Sequence, residues 1–98
     1  MKKFSIYDLD KAFESRVRLG IMSALMVASS YDFKQLKALL DVTDGNLATH
    51  LKALEKKQYI LVSKKFIGRK PNTSYSLTKE GRTAFQNHLA ALEKLLGR

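Results

Sequence analysis

Polar and basic side chains suited to contacting a ligand are concentrated in Asp44–Lys57. Leu47, Leu51 and Leu54 recur at helical spacing and predict one buried face. At about 100° per residue, the opposite face collects small, hydrogen-bonding and basic side chains and no acidic one: Gly45, Asn46, Thr49, Lys52, Ala53 and Lys56. Small residues early and lysines late suit a DNA major groove, where the first turns reach base edges and the later turns meet phosphates. An ordinary solvated surface helix would show the same pattern, so the flanking segments decide.

The charge of the chain supports a polyanionic partner. The 98 residues carry a formal net charge of +9, and Asn46–Lys70 holds seven lysines and arginines against Glu55 alone. About two thirds of the net charge therefore lies on or just after the candidate reading helix. Such a balance favours either nucleic acid or an acidic membrane surface.

Several kinds of site are not expected. There is no cysteine, which excludes disulfides, thiolate metal sites and cysteine catalysis. The two histidines, His50 and His88, fall on different predicted elements and do not make a zinc site. No nucleophile with its base, phosphate-cradling glycine loop or carboxylate pair is present, so we predict neither an enzyme nor a cofactor. We expect His50 to donate to a phosphate and His88 to be a satisfied interface histidine.

The length predicts one domain, 1–98, with a modest core. No apolar run is long enough for a membrane span, and the start of the chain does not resemble a signal peptide, because acidic residues interrupt it early. We therefore expect a soluble cytoplasmic protein without a membrane partner.

The first half of the chain predicts an arm and three helices. The arm, 1–14, is apolar and should pack on its own core or on a partner subunit. Ser15 caps a helix Arg16–Ala28 with two apolar sides, the second of which (Leu19, Met22, Met26) should face the last helix or a dimer mate. Asp32, with Gln35 completing a capping box, starts a helix Phe33–Leu40. A short connection then leads to the helix Asp44–Lys57, which Thr43 or Asp44 caps. The helices Phe33–Leu40 and Asp44–Lys57 together make a helix-turn-helix.

The second half predicts a basic hairpin and a long helix. Tyr59–Phe66 and Ser74–Leu77 have the alternation of strands, and Gly68–Asn72 has the composition of a turn. Such a hairpin after a helix-turn-helix is a wing, whose Lys64, Lys65, Arg69 and Lys70 can reach phosphates or the minor groove. Thr78 caps the last helix, 79–96, whose near-heptad apolar stripe favours dimerisation over plain core.

These residues carry a family resemblance. The runs LDVTDGNLATHLKALEKKQYI and KKFIGRKPNTSYSLTKEGRTAF resemble the small winged-helix DNA-binding proteins related to the MarR and ArsR regulators, over roughly Arg16 to Leu92. The resemblance implies a mainly α winged helix-turn-helix fold, with a three-helix core, a two-stranded wing and a long C-terminal helix. It also implies a homodimeric prokaryotic regulator that reads DNA through Asn46, Thr49 and His50, with Arg69 at the wing tip. Gln58 departs from the pattern, because relatives commonly carry Gly there to end the reading helix, and we expect it to end the helix with some strain or at a slightly different exit angle.

The interpretation is thus a sequence-specific dimeric regulator of transcription on double-stranded DNA, with helix 44–57 in the major groove and wing 64–73 on the backbone or minor groove. The alternatives are a non-specific architectural DNA-binding protein and a winged-helix protein-interaction module. A small-molecule effector is left open. The predicted DNA-binding residues are Thr43, Gly45, Asn46, Thr49, His50, Lys52, Lys56, Lys64, Lys65, Arg69 and Lys70. The predicted dimerisation residues are Phe4, Ile6, Met22, Phe85, Leu89, Leu92 and Leu96.

Overall fold

The computed structural model describes residues 5–97. Two short 3₁₀ turns, Ile6–Asp8 and Lys11–Phe13, precede the regular elements. In chain order these are α1 (Arg16–Val27), β1 (Tyr31–Asp32), α2 (Phe33–Leu40), α3 (Asp44–Lys56), β2 (Ile60–Ile67), β3 (Lys70–Leu77) and α4 (Lys79–Leu95). The predicted winged helix-turn-helix is confirmed, with α2 and α3 as its two helices.

Each helix begins where a polar side chain caps it. Ser15 accepts from the Arg18 N–H, and Thr78 from the Gly81 N–H at 2.8 Å. Asp32 and Gln35 form the predicted capping box, in which each side chain accepts from the other residue's backbone N–H. At α3 the cap is Thr43, whose hydroxyl accepts from the Asn46 N–H. These caps satisfy N–H groups that have no partner within the helix.

The sheet differs from the predicted two-stranded wing. It has three antiparallel strands in the order β1-β3-β2, because Tyr31 and Asp32 pair with Tyr75 and Ser74. The hairpin is also longer than predicted, since β3 begins at Lys70 rather than at Ser74. Its polar residues carry little strand signal, so the sequence placed part of β3 in the turn.

The hairpin loop itself contains two residues, Gly68 and Arg69. Gly68 has a φ of +63°, the left-handed conformation that a tight hairpin loop requires and that glycine adopts without strain. Pro71 stands opposite Phe66, next to the loop-closing pair. Because antiparallel pairs alternate between hydrogen-bonded and open positions, Pro71 occupies an open one and no ladder bond is lost.

The N-terminal segment packs on its own domain, one of the two predicted possibilities. Phe13 is buried and lies edge-on to Phe85 with 5.2 Å between ring centroids. The Tyr59 hydroxyl donates to the Asp10 carboxylate at 2.7 Å, and the Asp10 N–H donates to His88 Nδ1 at 3.0 Å. The segment thus completes a core whose buried members are Ala12, Phe13, Ile21, Met22, Ala24, Leu25, Leu36, Leu47, Leu51, Leu54, Ile60 and Phe85.

Three expectations about interface residues need correction. Met22 is 0% exposed and Phe85 2% exposed within a single chain, so neither presents a surface to a second copy. His88 is also buried, and its ring accepts from the N-terminal segment of the same chain. Apolar periodicity identified these residues as buried, but it does not tell whether the covering surface comes from the same chain.

The junction of α3, β2 and α4 is closely packed; we call Gln58, Tyr59, Thr78 and Gly81 the joint. Gln58 ends α3 in the left-handed conformation, with a φ of +64°. Its N–H donates to Glu55 O and the Tyr59 N–H donates to Leu54 O, which is the Schellman pattern. The Thr78 hydroxyl donates to Gln58 O at 2.6 Å. The strain expected from a non-glycine residue at this helix end is therefore present.

Gly81 is required by a close approach within the joint. A Cβ atom built on Gly81 would lie 1.9 Å from the carbonyl oxygen of Tyr59. No side chain can be accommodated against a backbone carbonyl at that distance. The first turn of α4 therefore rests directly on the chain that leaves α3.

No helix within residues 5–97 combines the length and apolar character needed to cross a bilayer.

Candidate nucleic-acid interface

The helix α3 is oriented by one buried stripe. Leu47, Leu51 and Leu54 are buried in the core, as predicted. The opposite side is exposed along the length of the helix; its members Gly45, Asn46, Thr49, Lys52 and Lys56 form what we call the outward face. The predicted DNA-binding residues of α3 therefore lie together on one accessible surface, with the exceptions of Thr43 and His50.

Thr43 and Asp44 occupy the start of α3. The Thr43 hydroxyl already accepts from the Asn46 N–H, so its first role is to cap the helix. Asp44, in the first turn, forms an ion pair of 2.8 Å with Lys37 of α2. Both side chains are well exposed, so the pair adds little stability, but it neutralises the carboxylate beside the outward face.

A cleft separates α3 from the wing and collects basic side chains from both. Lys52 comes from α3 and Lys64 from β2, and both line a cavity of about 340 Å³ together with Ala48, Leu51, Glu55, Val62, Thr73 and Tyr75. Burial, and then the negative charge of Glu55, raises the pKa of the Tyr75 hydroxyl, which stays protonated and can donate a hydrogen bond. The cleft thus combines two cations and hydroxyl groups with one carboxylate, that of Glu55, and carries a net positive charge between helix and wing.

The basic residues of the wing do not all share one face. Lys64 pairs with Thr73 on the side of the cleft, whereas Lys65 pairs with Asn72. Successive strand residues point to opposite sides of a sheet, so Lys65 and Lys70 lie on the face opposite to Lys64. Arg69 is in the loop at the tip. The wing therefore presents cations on both faces and at its end.

The wing tip also carries exposed apolar side chains that the sequence did not single out. Phe66 is 75% exposed and Ile67 is 67% exposed. In the register of β2 and β3, Phe66 lies on the same face of the hairpin as Ile60 and Val62. Phe66 is nevertheless uncovered, because the hairpin extends beyond the body of the domain.

His50 lies at the edge of the outward face and contacts α1. Its Nδ1 accepts a hydrogen bond from Arg18 Nε at 3.0 Å. Burial, and then the positive charge of Arg18, lowers the pKa of His50 below its usual 6.5. Arg18 was not among the predicted site residues, and its contact with α3 gives no signal in the spacing of either helix.

No three or more His, Cys, Asp or Glu side chains cluster in the part of the chain that the structure describes in a way that could hold a metal ion.

The predicted dimerisation residues fall into three groups. Leu89, Leu96 and Ile6 are exposed, and Leu92 is half-buried beside them in sequence on α4. Met22 and Phe85 are core residues, as described above. Phe4 lies outside the described residues. An apolar stripe on α4 thus remains uncovered by the described chain, whereas the inner part of the expected interface belongs to the core.

Comparison with known proteins agrees with this geometry. Residues 17–96 match the family model of a winged helix DNA-binding domain. An uncharacterized protein of Methanocaldococcus jannaschii is 36% identical over 85 residues, covering 87% of this chain and 92% of the relative.

Two solved structures extend the comparison. A transcriptional regulator homologue from Pyrococcus horikoshii superposes with a TM-score of 0.77 at 28% identity, over 94% of this chain and 96% of that one. A transcriptional regulator of the MarR family from Enterococcus faecalis has a TM-score of 0.71 at 24% identity, over 88% and 74% of the two chains, a likeness that concerns the fold alone. With the family model matching most of its length, the chain belongs to the winged helix DNA-binding domain family.

Proposed function

We propose that this protein is a sequence-specific, dimeric transcriptional regulator that inserts α3 into the DNA major groove and lays its wing along the backbone or minor groove. The observation that carries the proposal is the outward face of α3, which is exposed, small at its start, basic at its end and free of carboxylates. Such a face fits a groove lined by base edges and phosphates. DNA in prokaryotes lies in the cytoplasm, and we expect the protein there.

Gly45 supports this proposal independently of charge. Glycine within a helix destabilises it by about 0.5–1 kcal/mol relative to alanine. A Cβ atom on Gly45 would have no atom of the chain within 4 Å, so nothing inside the protein requires glycine there. An external surface that approaches the backbone of α3 closely would require it, and a DNA strand against the first turn of α3 is such a surface.

The direct test is a competition binding assay with genomic fragments, followed by titration of the selected site at several salt concentrations. A regulator should prefer its site to bulk DNA by about 10³-fold or more. Each phosphate contact should contribute roughly 0.9 to the slope of log affinity against log salt. Equal affinity for all duplexes would favour the architectural alternative, and a flat salt dependence would exclude DNA as the partner.

Substitutions distinguish the reading of base sequence from electrostatic attraction to the DNA backbone. Asn46→Ala and Thr49→Ala should each cost about 1–3 kcal/mol on the selected site and flatten the preference at particular base pairs. Arg69→Ala should weaken binding more evenly or lose a preference for narrow A·T minor grooves. If Asn46→Ala and Thr49→Ala weakened binding to all sequences equally, α3 would contact the phosphate backbone without reading the base sequence.

The dimer is supported by the apolar stripe on α4. Leu89 and Leu96 are seven residues apart, lie on one side of the helix and are exposed. One winged helix covers only half of a typical operator, and a twofold pair places two reading helices about 34–36 Å apart, one turn of DNA. Ile6 offers a further exposed apolar side chain.

The dimer is tested by sedimentation at micromolar concentration. The double variant Leu89→Glu and Leu96→Glu should remain folded, because both side chains are exposed within the chain, but should sediment as a monomer and bind the site weakly. Leu61→Glu, at an exposed apolar position of β2, is the matched control and should remain dimeric. A monomeric wild type with full affinity would show that the dimer is wrong.

A further inference from the structure

Arg18 is a half-buried cation without an acidic partner. Its Nε donates to His50 Nδ1 at 3.0 Å, and its Nη1 donates to the carbonyl oxygen of Ala12 at 3.4 Å. Both acceptors are neutral. Within residues 5–97 the ion pair found joins Lys37 and Asp44, so no described carboxylate neutralises Arg18. A guanidinium that is partly removed from water and lacks a counter-charge can be stabilised by an anion that binds to it.

The bond from Arg18 also determines the state of His50. Since Nδ1 accepts a hydrogen bond, the ring is neutral and carries its proton on Nε2. Nε2 makes no hydrogen bond within the described chain, and the ring is half-exposed. Arg18 thus holds the imidazole in the tautomer that offers one free N–H donor.

The position of this pair complements the wing. His50 lies one helical turn after Asn46 of the outward face, on the flank of α3 that contacts α1. The cleft with Lys52 and Lys64 lies on the other flank, between α3 and the wing. A helix in the major groove has a phosphate backbone on each side, so both flanks require donors.

We propose that Arg18 and His50 form a phosphate-binding site on the α1 flank of α3, in which Arg18 supplies the charge and fixes the His50 tautomer while Nε2–H donates to a DNA backbone phosphate. The proposal rests on the DNA-binding function above and adds a phosphate contact on the second flank of α3. Guanidinium and imidazole N–H groups are a donor set that phosphate oxygens accept, and the N-terminal segment holds the guanidinium through the carbonyl of Ala12.

The test compares two arginines of α1 on a mixed-sequence duplex of about three helical turns. Arg18→Ala should lower affinity about 10-fold and reduce the salt slope by roughly 0.9, the value for one phosphate. Arg16→Ala removes the same charge from an exposed position of the same helix and should change affinity less than about 3-fold. Equal effects of the two substitutions would overturn the site.

A spectroscopic readout separates positioning from folding. Long-range ¹H–¹⁵N NMR of the wild type should show the Nε2–H tautomer of His50, with Nε2 shifted when the duplex is added. Arg18→Ala should give a mixture of tautomers, and Arg18→Lys should restore affinity but not the single tautomer, because lysine lacks the planar guanidinium. A single tautomer retained in Arg18→Ala would contradict the positioning role.

His50→Leu supplies the second variant in case Arg18→Ala unfolds. It removes the Nε2–H donor from a half-exposed position and should reduce affinity several-fold, with little change in the salt slope because the neutral imidazole carries no charge. Unchanged affinity would reject the role of His50. If the wild type itself shows no salt-dependent binding, the DNA function fails; if it does, and Arg18→Ala leaves the slope unchanged while His50→Leu leaves the affinity unchanged, only this site fails.

Discussion

Two glycines, Gly81 in the first turn of α4 and Gly45 in the first turn of α3, occupy opposite environments. Beside Gly81, in the joint, a Cβ atom would lie 1.9 Å from the carbonyl oxygen of Tyr59, whereas beside Gly45, on the outward face, it would meet no atom within 4 Å. Internal packing therefore explains the first glycine and cannot explain the second. The proposed approach of DNA to the first turn of α3 would supply the reason for Gly45 that the chain itself does not.

The same contrast holds for the residues around each glycine. In the joint, the Thr78 hydroxyl donates to the carbonyl of Gln58 and the Tyr59 hydroxyl donates to Asp10, so both hydroxyl groups have a partner within the chain. On the outward face Asn46, Thr49 and Lys52 remain exposed. We therefore expect substitutions in the joint to change stability and substitutions on the outward face to change the proposed DNA binding, and the following substitutions test that division.

Gly81→Ala should have the largest effect. Because the obstructing atom belongs to the backbone of Tyr59, the first turn of α4 must move away, and we expect a loss of about 3 kcal/mol or more in the free energy of unfolding. Urea denaturation followed by circular dichroism measures it. A loss below about 1 kcal/mol would show that α4 can shift freely and that the joint is not rigid.

Tyr59→Phe should cost about 1–2 kcal/mol, since it removes a hydrogen bond to a carboxylate and leaves Asp10 with one partner fewer. Burial, followed by the hydrogen bond to Asp10 and its charge, raises the pKa of Tyr59 to about 12. A raised pKa means that this stabilisation is fully present below the usual value near 10 and is lost as the pH rises toward 12.

Ultraviolet titration of the phenol groups should therefore find a tyrosine that ionises near pH 12 in the wild type and that is missing in Tyr59→Phe. If all tyrosines of the folded protein titrated near 10, the contact between Tyr59 and Asp10 would be absent in solution.

Gln58→Gly should stabilise the protein by about 0.5–1 kcal/mol, because glycine adopts a φ of +64° without the strain that a side chain imposes. Thermal unfolding should show a midpoint higher by a few degrees. DNA affinity should be unchanged, since the joint lies at the far end of α3 from its first turn. A lower midpoint would mean that the Gln58 side chain makes a contact that outweighs the strain.

Gly45→Ala should have the smallest effect on stability, and it should stabilise the protein while weakening DNA binding. We expect a gain of about 0.5 kcal/mol or less, since Gly45 is in the first turn, together with weaker DNA binding as the added methyl meets the DNA strand. Denaturation and binding measured on one preparation check both. Unchanged affinity would leave Gly45 without an explanation on the outward face.

Local features of the fold were predictable from sequence. The caps Ser15, Asp32 and Thr78, the leucines of α3 and the strain at Gln58 each depend on residues within one or two helical turns. Neighbouring residues determine helix ends because the unsatisfied N–H groups of a first turn are reached by the side chain just before it.

Features that join distant segments were not predictable. The strand β1 has two residues and forms only because β3 passes beside it. Met22 and Phe85 were correctly identified as buried, but they were assigned to a dimer interface and lie in the core of the single chain. At Phe85 the covering side chain is Phe13 of the N-terminal segment. The contact between Arg18 and His50 depends on how α1 crosses α3, which the spacing within either helix does not contain.

The joint has a mechanical consequence for a dimer held through α4. Because Gly81 rests on Tyr59 and the Thr78 hydroxyl donates to the carbonyl of Gln58, the start of α4 is coupled directly to the end of α3. With 17 residues, α4 is about 25 Å long. A rotation of roughly 10° about its far end then displaces the C-terminal end of α3 by about 4 Å, which is a sizeable fraction of the width of a DNA groove. In the proposed dimer, the separation of the two copies of α3 would therefore depend on the angle at which two copies of α4 cross, far from the DNA itself.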